Sequence, residues 1–180
     1  MNTHQPFVWT VGHSTRNMKE FLQLLRENQI QVVADVRQYP GSRRYPHFGQ
    51  NALGLSLAKA GIEYMHFPEL GGRRRAQPDS RNTAWRNTMF RGYADYMETP
   101  AFKGGMDRLL DVASRKRVAL MCAGALWWRC HRMLISDYLK AAGRTVVHIV
   151  GPNKVEEHRF SPAASFVNGT LSYEPAKVPQ

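Results

Sequence analysis

Short apolar runs alternate with amphipathic stretches along the chain, and this alternation is the strongest constraint on its fold. Five runs are predicted as strands: 8–11, 30–36, 62–67, 118–122 and 145–150, of which 30–36 is rich in β-branched residues. Helical spacing of apolar residues predicts a helix capped by Ser14 or Thr15 and further helices over 51–60, 90–97, 102–113 and 130–142. This order favours an α/β fold with three layers, a mostly parallel sheet with helices on both faces, Rossmann-like or flavodoxin-like in outline.

The chain has 180 residues, which suits one domain with its own hydrophobic core. We find no internal repeat, low-complexity run or boundary, so we predict a single α/β domain over residues 1–180. Residues from about 151 onward are weakly patterned and are interpreted as a tail with room for short strands. Residues 39–48 are predicted as a loop, and the polar stretch 68–87 as a functional or disordered one.

The sequence gives no sign of a membrane or secretory segment. No apolar run reaches the length of a membrane span, and Met1 to Thr10 lack a basic region followed by an apolar run. Two cysteines are too few for a disulfide scaffold. We therefore expect a cytoplasmic protein with no membrane partner.

Basic residues exceed acidic ones by a wide margin. Lys and Arg total 25 against 14 Asp and Glu, a formal net charge of +11. A domain of this charge attracts polyanions, and we expect a nucleic acid or a phosphorylated small molecule as partner. The alternative, that the charge only maintains solubility, remains open. Glycine-rich phosphate-binding motifs are absent, so no nicotinamide, flavin or ATP cofactor is predicted.

Polar and nucleophilic side chains follow the predicted strands at the point where each strand ends. His13 follows the first strand, Asp35 lies near the end of the second, and Cys122 ends the fourth. The carboxyl ends of parallel strands form the ligand-binding edge of open α/β sheets. We therefore predict that His13, Asp35 and Cys122 are catalytic. Structural roles remain open: Asp35 as the partner of an arginine or of backbone amides, His13 as a satisfied buried histidine, and Cys122 as a core residue.

Cys130 is predicted as a fourth catalytic residue. The pattern places it at the start of a helix, between Arg129 and the pair His131-Arg132. A helix N-terminus and neighbouring cations lower the pKa of a thiol, so Cys130 is expected to be a reactive thiolate or part of an anion site.

Arginines, hydroxyl groups and an aromatic ring near the strand ends are the candidates for substrate binding. The predicted substrate or phosphate contacts are Ser14, Arg16, Arg37, Ser42, Arg43, Arg73, Trp128, His131 and Arg132. The run 73–75 is the best candidate for contact with nucleic acid, and its alternative is a solvated charge run. Arg91 and Asp95, four residues apart, are expected to pair, while His66 and His148 are interpreted as packing residues.

Several motifs in one order resemble the family known as domain of unknown function 488, over about residues 8–173. They are Gly12-His13-Ser14, Asp35-Val36-Arg37, Pro40 with Ser42-Arg43-Arg44, Leu70-Gly71-Gly72-Arg73, the segment from Phe90 to Met97, Leu120-Met121-Cys122-Ala123, Cys130-His131-Arg132 and His148-Ile149. The resemblance implies a cytoplasmic, prokaryote-type α/β domain and supplies no activity. The family usually reads Cys-Ala-Glu after the fourth strand, whereas this chain has Gly124. If that glutamate is an acid, a base or a metal ligand in relatives, this chain lacks it.

Three functions follow from these residues. The first is an enzyme that acts on a nucleotide or nucleic acid by hydrolysis or group transfer, with a carboxylate or histidine as general base or a thiolate as nucleophile. The second is a nucleic-acid-binding module without catalysis. The third is a metal-dependent enzyme; a metal is not favoured, and its candidate ligands are Cys122, Cys130 and His131.

Overall fold

A six-stranded sheet forms the centre of the computed structural model, which describes residues 7–177. Its strands are β1 (Phe7–Gly12), β2 (Val32–Asp35), β3 (Glu63–His66), β4 (Val118–Cys122), β5 (Thr145–Gly151) and β6 (Lys154–Glu157). They lie in the order β3-β2-β4-β1-β5-β6, and only β6 at the edge is antiparallel to its neighbour. The predicted mostly parallel sheet is confirmed.

Five helices cover both faces of this sheet: α1 (Met18–Glu27), α2 (Gln50–Lys59), α3 (Thr88–Tyr96), α4 (Pro100–Ala113) and α5 (Arg132–Ala141). Helices α1 and α2 pack on one face, and the other three pack on the opposite face. Neighbouring strand residues alternate between the two cores: Val8 and Val118 face the second group of helices, whereas Trp9 and Ala119 face the first. The three-layer α/β fold follows from this alternation.

The order of the strands decides where a ligand site lies. From β1 the chain continues through β2 and β3 towards one edge of the sheet. From β4, which lies between β1 and β2, it continues through β5 towards the other edge. The switch in direction therefore falls at the neighbouring strands β1 and β4. In the parallel register, Gly12 at the end of β1 pairs with Cys122 at the end of β4. Crevices outside the carboxyl ends of strands at such a switch point are the usual ligand sites of open α/β sheets.

Two helices begin later than predicted. Asn17, not Ser14 or Thr15, caps α1, because its side chain accepts a hydrogen bond from the Glu20 amide while Glu20 bonds back to the Asn17 amide. Helix α5 begins at Arg132 and not at Cys130, because Cys130 is extended. Short 3-10 turns also occur over Pro46–Phe48, Pro68–Leu70 and Trp127–Arg129, the first two within segments predicted as loops.

The long polar segment 68–87 is held in place by Asp95. Its carboxylate accepts hydrogen bonds from the Gln77 amide, the Ser80 hydroxyl and the Asn82 side chain. The predicted pairing of Arg91 with Asp95 is wrong, because Arg91 donates instead to the Trp85 carbonyl.

The segment after β5, interpreted as a tail, contains three strands. After β6 at the sheet edge, β7 (Ser165–Val167) and β8 (Thr170–Ser172) form a hairpin. Buried Asp137 of α5 anchors this segment: it accepts hydrogen bonds from His158, Ser161 and the Tyr173 hydroxyl.

The anchor continues as a buried chain of polar groups into the sheet. His158 donates through Nε2 to Asp137, so with a neutral ring its Nδ1 accepts from Nε2 of His148, and Nδ1 of His148 then accepts from the Thr10 hydroxyl. Burial lowers the pKa of His148 to about 2, so this imidazole is neutral. The Trp127 ring stacks on His148 with 4.0 Å between ring centroids. His148 thus packs in the interior, as predicted, with every ring nitrogen satisfied.

Among the helices of residues 7–177, none has both the length and the apolarity needed to cross a membrane. The first six residues, which bear on the expected lack of a secretory segment, lie outside the described residues, as do the last three of the predicted domain.

The Asp137 anchor gives a stability prediction. Asp137→Ala leaves a buried histidine, a serine and a tyrosine without their acceptor, so the free energy of unfolding should fall by about 3 to 5 kcal/mol. Urea denaturation followed by circular dichroism measures this loss. The matched control is Asp111→Ala, which removes an exposed ion pair with Arg115 and should change stability by less than about 0.5 kcal/mol. Equal effects of the two substitutions would contradict the anchor.

Candidate functional site

A cleft of about 810 Å³ opens at the carboxyl edge of the sheet. It is lined by the loops that follow β1, β2 and β4, by Gly72 and Arg73, and by the start of α3. Eight residues predicted from the sequence line it: His13, Ser14, Arg37, Ser42, Arg73, Cys122, Cys130 and His131. The strand-end rule therefore brought together residues from four separate parts of the chain.

The loops after β1 and β4 are joined backbone to backbone. The amides of His13 and Ser14 donate to the carbonyls of Cys122 and Ala123, each at 2.9 Å. Gly12 makes this approach possible, because a Cβ at that position would collide with the backbone of Gly124. Ser14 adopts a left-handed backbone conformation (φ 52°), a conformation that non-glycine residues hold chiefly where surrounding contacts enforce it.

The sulfur of Cys130 is bound by Arg132. It accepts hydrogen bonds from the Arg132 backbone amide at 3.4 Å and from the guanidinium Nε at 3.2 Å. The guanidinium is 1% exposed and also donates to the Gly124 carbonyl. Within residues 7–177, no carboxylate pairs with Arg132. A buried cation requires a counter-charge, and a Cys130 thiolate supplies it.

The two cysteines have opposite protonation preferences. The neighbouring Cys122 thiol lowers the pKa of Cys130 well below its usual value, against the raising effect of burial, and the charge of Arg132 lowers it further. The neighbouring Cys130 and burial raise the pKa of Cys122. These directions and the two Arg132 contacts to the Cys130 sulfur favour Cys130 as the thiolate of the pair.

His131 is oriented by the sheet and by packing. Its Nε2 donates to the carbonyl of Val36 at 2.9 Å, and its ring lies against that of Tyr93. The backbone of Gly72 closes the other side, since a Cβ there would lie 2.9 Å from Nδ1 of His131. The hydrogen bond to Val36 fixes a proton on Nε2, so Nδ1 is the ring nitrogen that is available to contact the neighbouring cysteines.

Asp35 lies beneath the cleft and does not line it. It is fully buried and accepts two hydrogen bonds from the Arg37 guanidinium, at 2.9 and 2.7 Å, and one from the Tyr64 hydroxyl at 2.6 Å. Burial lowers the pKa of Arg37, but the bonds and charge of Asp35 more than offset this and raise it. The carboxylate is saturated, so its contacts fit the structural alternative and not the predicted catalytic role.

His13 lines the cleft as a neutral imidazole. Burial lowers its pKa to about 4, against a smaller raising effect of its hydrogen bond with the Ser14 carbonyl. That bond, at 2.9 Å, places a proton on Nδ1, and the ring stacks on Phe48 with 4.2 Å between centroids. Nε2 is therefore a lone-pair acceptor at neutral pH.

Four predicted binding residues lie elsewhere. Arg16 is directed to the Gly12 carbonyl at 2.6 Å and holds the loop after β1. Arg43 is exposed outside the cleft. Trp128 is 45% exposed and does not line the cleft, whereas its half-buried neighbour Trp127 stacks on His148. Arg132 lies beneath the cleft, where it binds Cys130.

Residues that the sequence did not predict also line the cleft. They include Gln38, Tyr39, Arg44, Tyr45, Asn87, Met89, Phe90, Tyr93 and Arg129. Arg44 and Arg129 adjoin predicted residues, so the local density of arginine was the available signal for them. Phe90 and Tyr93 recur at helical spacing, which indicates core residues by default, and a buried face and a cleft wall share the same pattern.

Three soft donors meet at the floor of the cleft. The sulfurs of Cys122 and Cys130 and a ring nitrogen of His131 lie within 4.8 Å of one another. Two sulfurs and one imidazole nitrogen suit a zinc-like ion, with a fourth position open to the cleft. The free sulfurs offer thiolate chemistry instead.

The fold and the site define an α/β domain with a cysteine–arginine centre at the carboxyl edge of its sheet. The model of the family described as "Domain of unknown function DUF488" matches residues 17–139, and the chain belongs to this family. No curated protein and no solved structure matches the chain.

The two facing glycines give a prediction about the loop junction. Gly12→Ala places a methyl group into the backbone of Gly124 and should lower the free energy of unfolding by about 1 to 3 kcal/mol or more. Gly124→Ala, whose Cβ meets only Cys130 at 3.8 Å, should cost less than about 0.5 kcal/mol. Thermal and urea unfolding of both variants compare the two costs, and an equal or reversed order would contradict the close approach.

The Cys130–Arg132 contact gives a prediction about reactivity. In Arg132→Gln the thiolate loses its cation, so the pKa of Cys130 rises and its alkylation by iodoacetamide at pH 6 should slow about tenfold. At pH 9.5 both proteins hold the thiolate, so their rates should converge. The rates come from mass spectrometry of the peptide that contains Cys130.

Arg129→Gln is the matched control for this measurement, since Arg129 lines the cleft and makes no hydrogen bond to the sulfur. Its pH profile should follow that of the unsubstituted protein. Circular dichroism verifies that each variant is folded. An unchanged profile in folded Arg132→Gln would show that Arg132 does not hold the thiolate.

Proposed function

We propose that the protein is a cysteine-dependent hydrolase or transferase that acts on a phosphate-bearing substrate, a nucleotide or a nucleic acid. The observation that carries this proposal is the Cys130 sulfur, which lines a cleft and accepts hydrogen bonds from Arg132, a buried arginine that has no carboxylate partner among the described residues. A nucleophile of this kind is activated by its lowered pKa and needs no separate base.

The arginines of the cleft support a phosphate-bearing substrate. Arg37 is neutralised by Asp35, but Arg44, Arg73 and Arg129 are exposed and have no ion-pair partner among residues 7–177. Three unpaired guanidinium groups around one opening favour an anion, and the planar guanidinium suits phosphate oxygens. The net charge of +11 attracts the same ligands from a distance.

The proposed reaction proceeds in two steps. The Cys130 sulfur attacks phosphorus, a sulfur–phosphorus bond forms, and the bond to the leaving oxygen breaks. That oxygen takes a proton from solvent. In the second step a water or a substrate hydroxyl attacks phosphorus, with neutral His13 as the proposed base, and the thiolate departs towards Arg132.

A second candidate function rests on a different observation. Leu126 and Trp128 are exposed apolar side chains in the loop that also carries Arg129. An aromatic ring beside a cation is a stacking surface for a base, which favours a binding module without catalysis.

Turnover of p-nitrophenyl phosphate and of bis(p-nitrophenyl) phosphate tests the proposed chemistry. Cys130→Ser should lower the rate at least about a hundredfold, because a serine hydroxyl is not ionised at neutral pH. Arg115→Gln, a surface substitution just after the end of α4, is the control and should leave the rate unchanged. Wild-type turnover in folded Cys130→Ser would overturn the thiolate mechanism.

Ligand protection separates the two candidate functions. Inorganic phosphate, adenosine monophosphate and a short oligothymidylate should each slow the alkylation of Cys130, less so at high salt. Arg73→Gln should weaken this protection, whereas Arg115→Gln should not. An oligonucleotide that binds without slowing alkylation, with no turnover of either ester, would favour the binding module and reject the proposed enzyme.

A further inference from the structure

Catalysis by one thiolate needs only Cys130, yet a second cysteine, Cys122, lies beside it. Cys122 ends β4 and Cys130 precedes α5, so both lie outside the interior of regular elements. Both line the cleft, which small molecules in solvent can enter. Their sulfurs lie within 4.8 Å of each other.

The segment between the two cysteines contains little regular structure. Its only regular element is the 3-10 turn Trp127–Arg129, and Gly124 has no side chain to obstruct movement towards Cys130. A disulfide needs a sulfur separation of about 2.05 Å, so the two side chains have a short distance to cover.

We propose that Cys122 and Cys130 form a peroxide-sensitive dithiol, in which Cys130 is oxidised first and Cys122 then closes a reversible disulfide. The assignment of the first position follows from the contacts of the two sulfurs. Two N–H groups of Arg132 bind the Cys130 sulfur and favour its anion, which is the form that attacks peroxide. Both of these Arg132 contacts are to Cys130, and the Cys122 sulfur lies within 4.8 Å of the sulfur that is oxidised, which is the position of a resolving thiol.

The chemistry balances with hydrogen peroxide as the oxidant. The Cys130 thiolate attacks one peroxide oxygen, the oxygen–oxygen bond breaks, and Cys130 sulfenic acid and hydroxide form. The Cys122 sulfur then attacks the sulfenic sulfur, a disulfide bond forms, and water leaves with the Cys122 proton. Cys130 is oxidised by two electrons in the first step, and the peroxide is reduced.

Arg132 also makes this disulfide easy to reduce. In the oxidised protein Cys130 carries no charge, so the buried guanidinium loses its counter-ion. Stabilising the reduced form in this way raises the reduction potential of a dithiol pair. The disulfide should therefore be reduced by glutathione. This inference rests on the proposed function in one respect only: the oxidised chain has no thiolate, so its proposed turnover stops.

Exposure of the reduced protein to equimolar hydrogen peroxide with a chelator present tests the proposal. The unsubstituted chain should lose two hydrogen atoms in its intact mass, lose both free thiols and form no dimedone adduct. Cys122→Ser should instead give a dimedone adduct at Cys130, because the sulfenic acid persists. Cys130→Ser should react at least about tenfold more slowly than Cys122→Ser at pH 6. Because the chain has two cysteines, each variant leaves one thiol to follow.

Three results would overturn the inference. They are a dimedone adduct on the unsubstituted chain equal to that on Cys122→Ser, a disulfide only between two chains, or no reaction of the unsubstituted chain. Circular dichroism checks that each variant is folded, and Cys122→Ala replaces Cys122→Ser if the latter is not. Phosphate protection of Cys130 without disulfide formation would reject this inference and retain the proposed function. Disulfide formation without phosphate protection of Cys130 and without turnover would retain this inference and reject the proposed function.

Discussion

The site depends on one buried arginine. Arg132 opens α5, is almost wholly inside the protein and has no carboxylate partner among the described residues. A buried guanidinium without a counter-charge would cost several kcal/mol, so the fold and the ionisation of Cys130 are linked. The Gly124 carbonyl takes a second N–H of the same group and ties the loop after β4 to the helix. Stability of the loop and reactivity of the sulfur therefore have a common origin.

The sheet places this pair where a substrate can reach it. Insertion of β4 between β1 and β2 brings three strand ends together, and the glycine contact joins two of their loops into one surface. Behind that surface, Trp127 stacks on the buried His148, which is itself held by His158 and Asp137. The loop that carries Cys130 is thus held at Trp127 from the sheet side and from the C-terminal segment, which the sequence pattern indicates is a tail with room for short strands.

Local patterns predicted most of the fold and part of the site. The five parallel strands and their helices follow from periodicity, and the strand ends located the cleft because parallel topology alone determines where those ends meet. The roles within the cleft depend on pairings that periodicity does not encode. Asp35 and Arg37 neutralise each other, while Arg132 binds sulfur, although each arginine looks alike in the sequence. Helix α5 begins two residues later than its pattern predicts, because a 3-10 turn precedes it. The contact of Trp127 with a histidine on another strand holds that turn.

The arginines at the cleft form two groups, one buried and one exposed, with different electrostatic roles. Arg37 and Arg132 are buried, and each is matched by one anion of the protein, so neither adds net charge for a ligand. Arg44, Arg73 and Arg129 are exposed and have no such partner in the part of the chain that the structure describes, so attraction of an incoming anion depends on them. Alkylation or oxidation of Cys130 changes this balance, because the charge of Arg132 is then released at the floor of the cleft. Loss of the thiolate should therefore strengthen, not weaken, the attraction of the cleft for anions that still fit inside it.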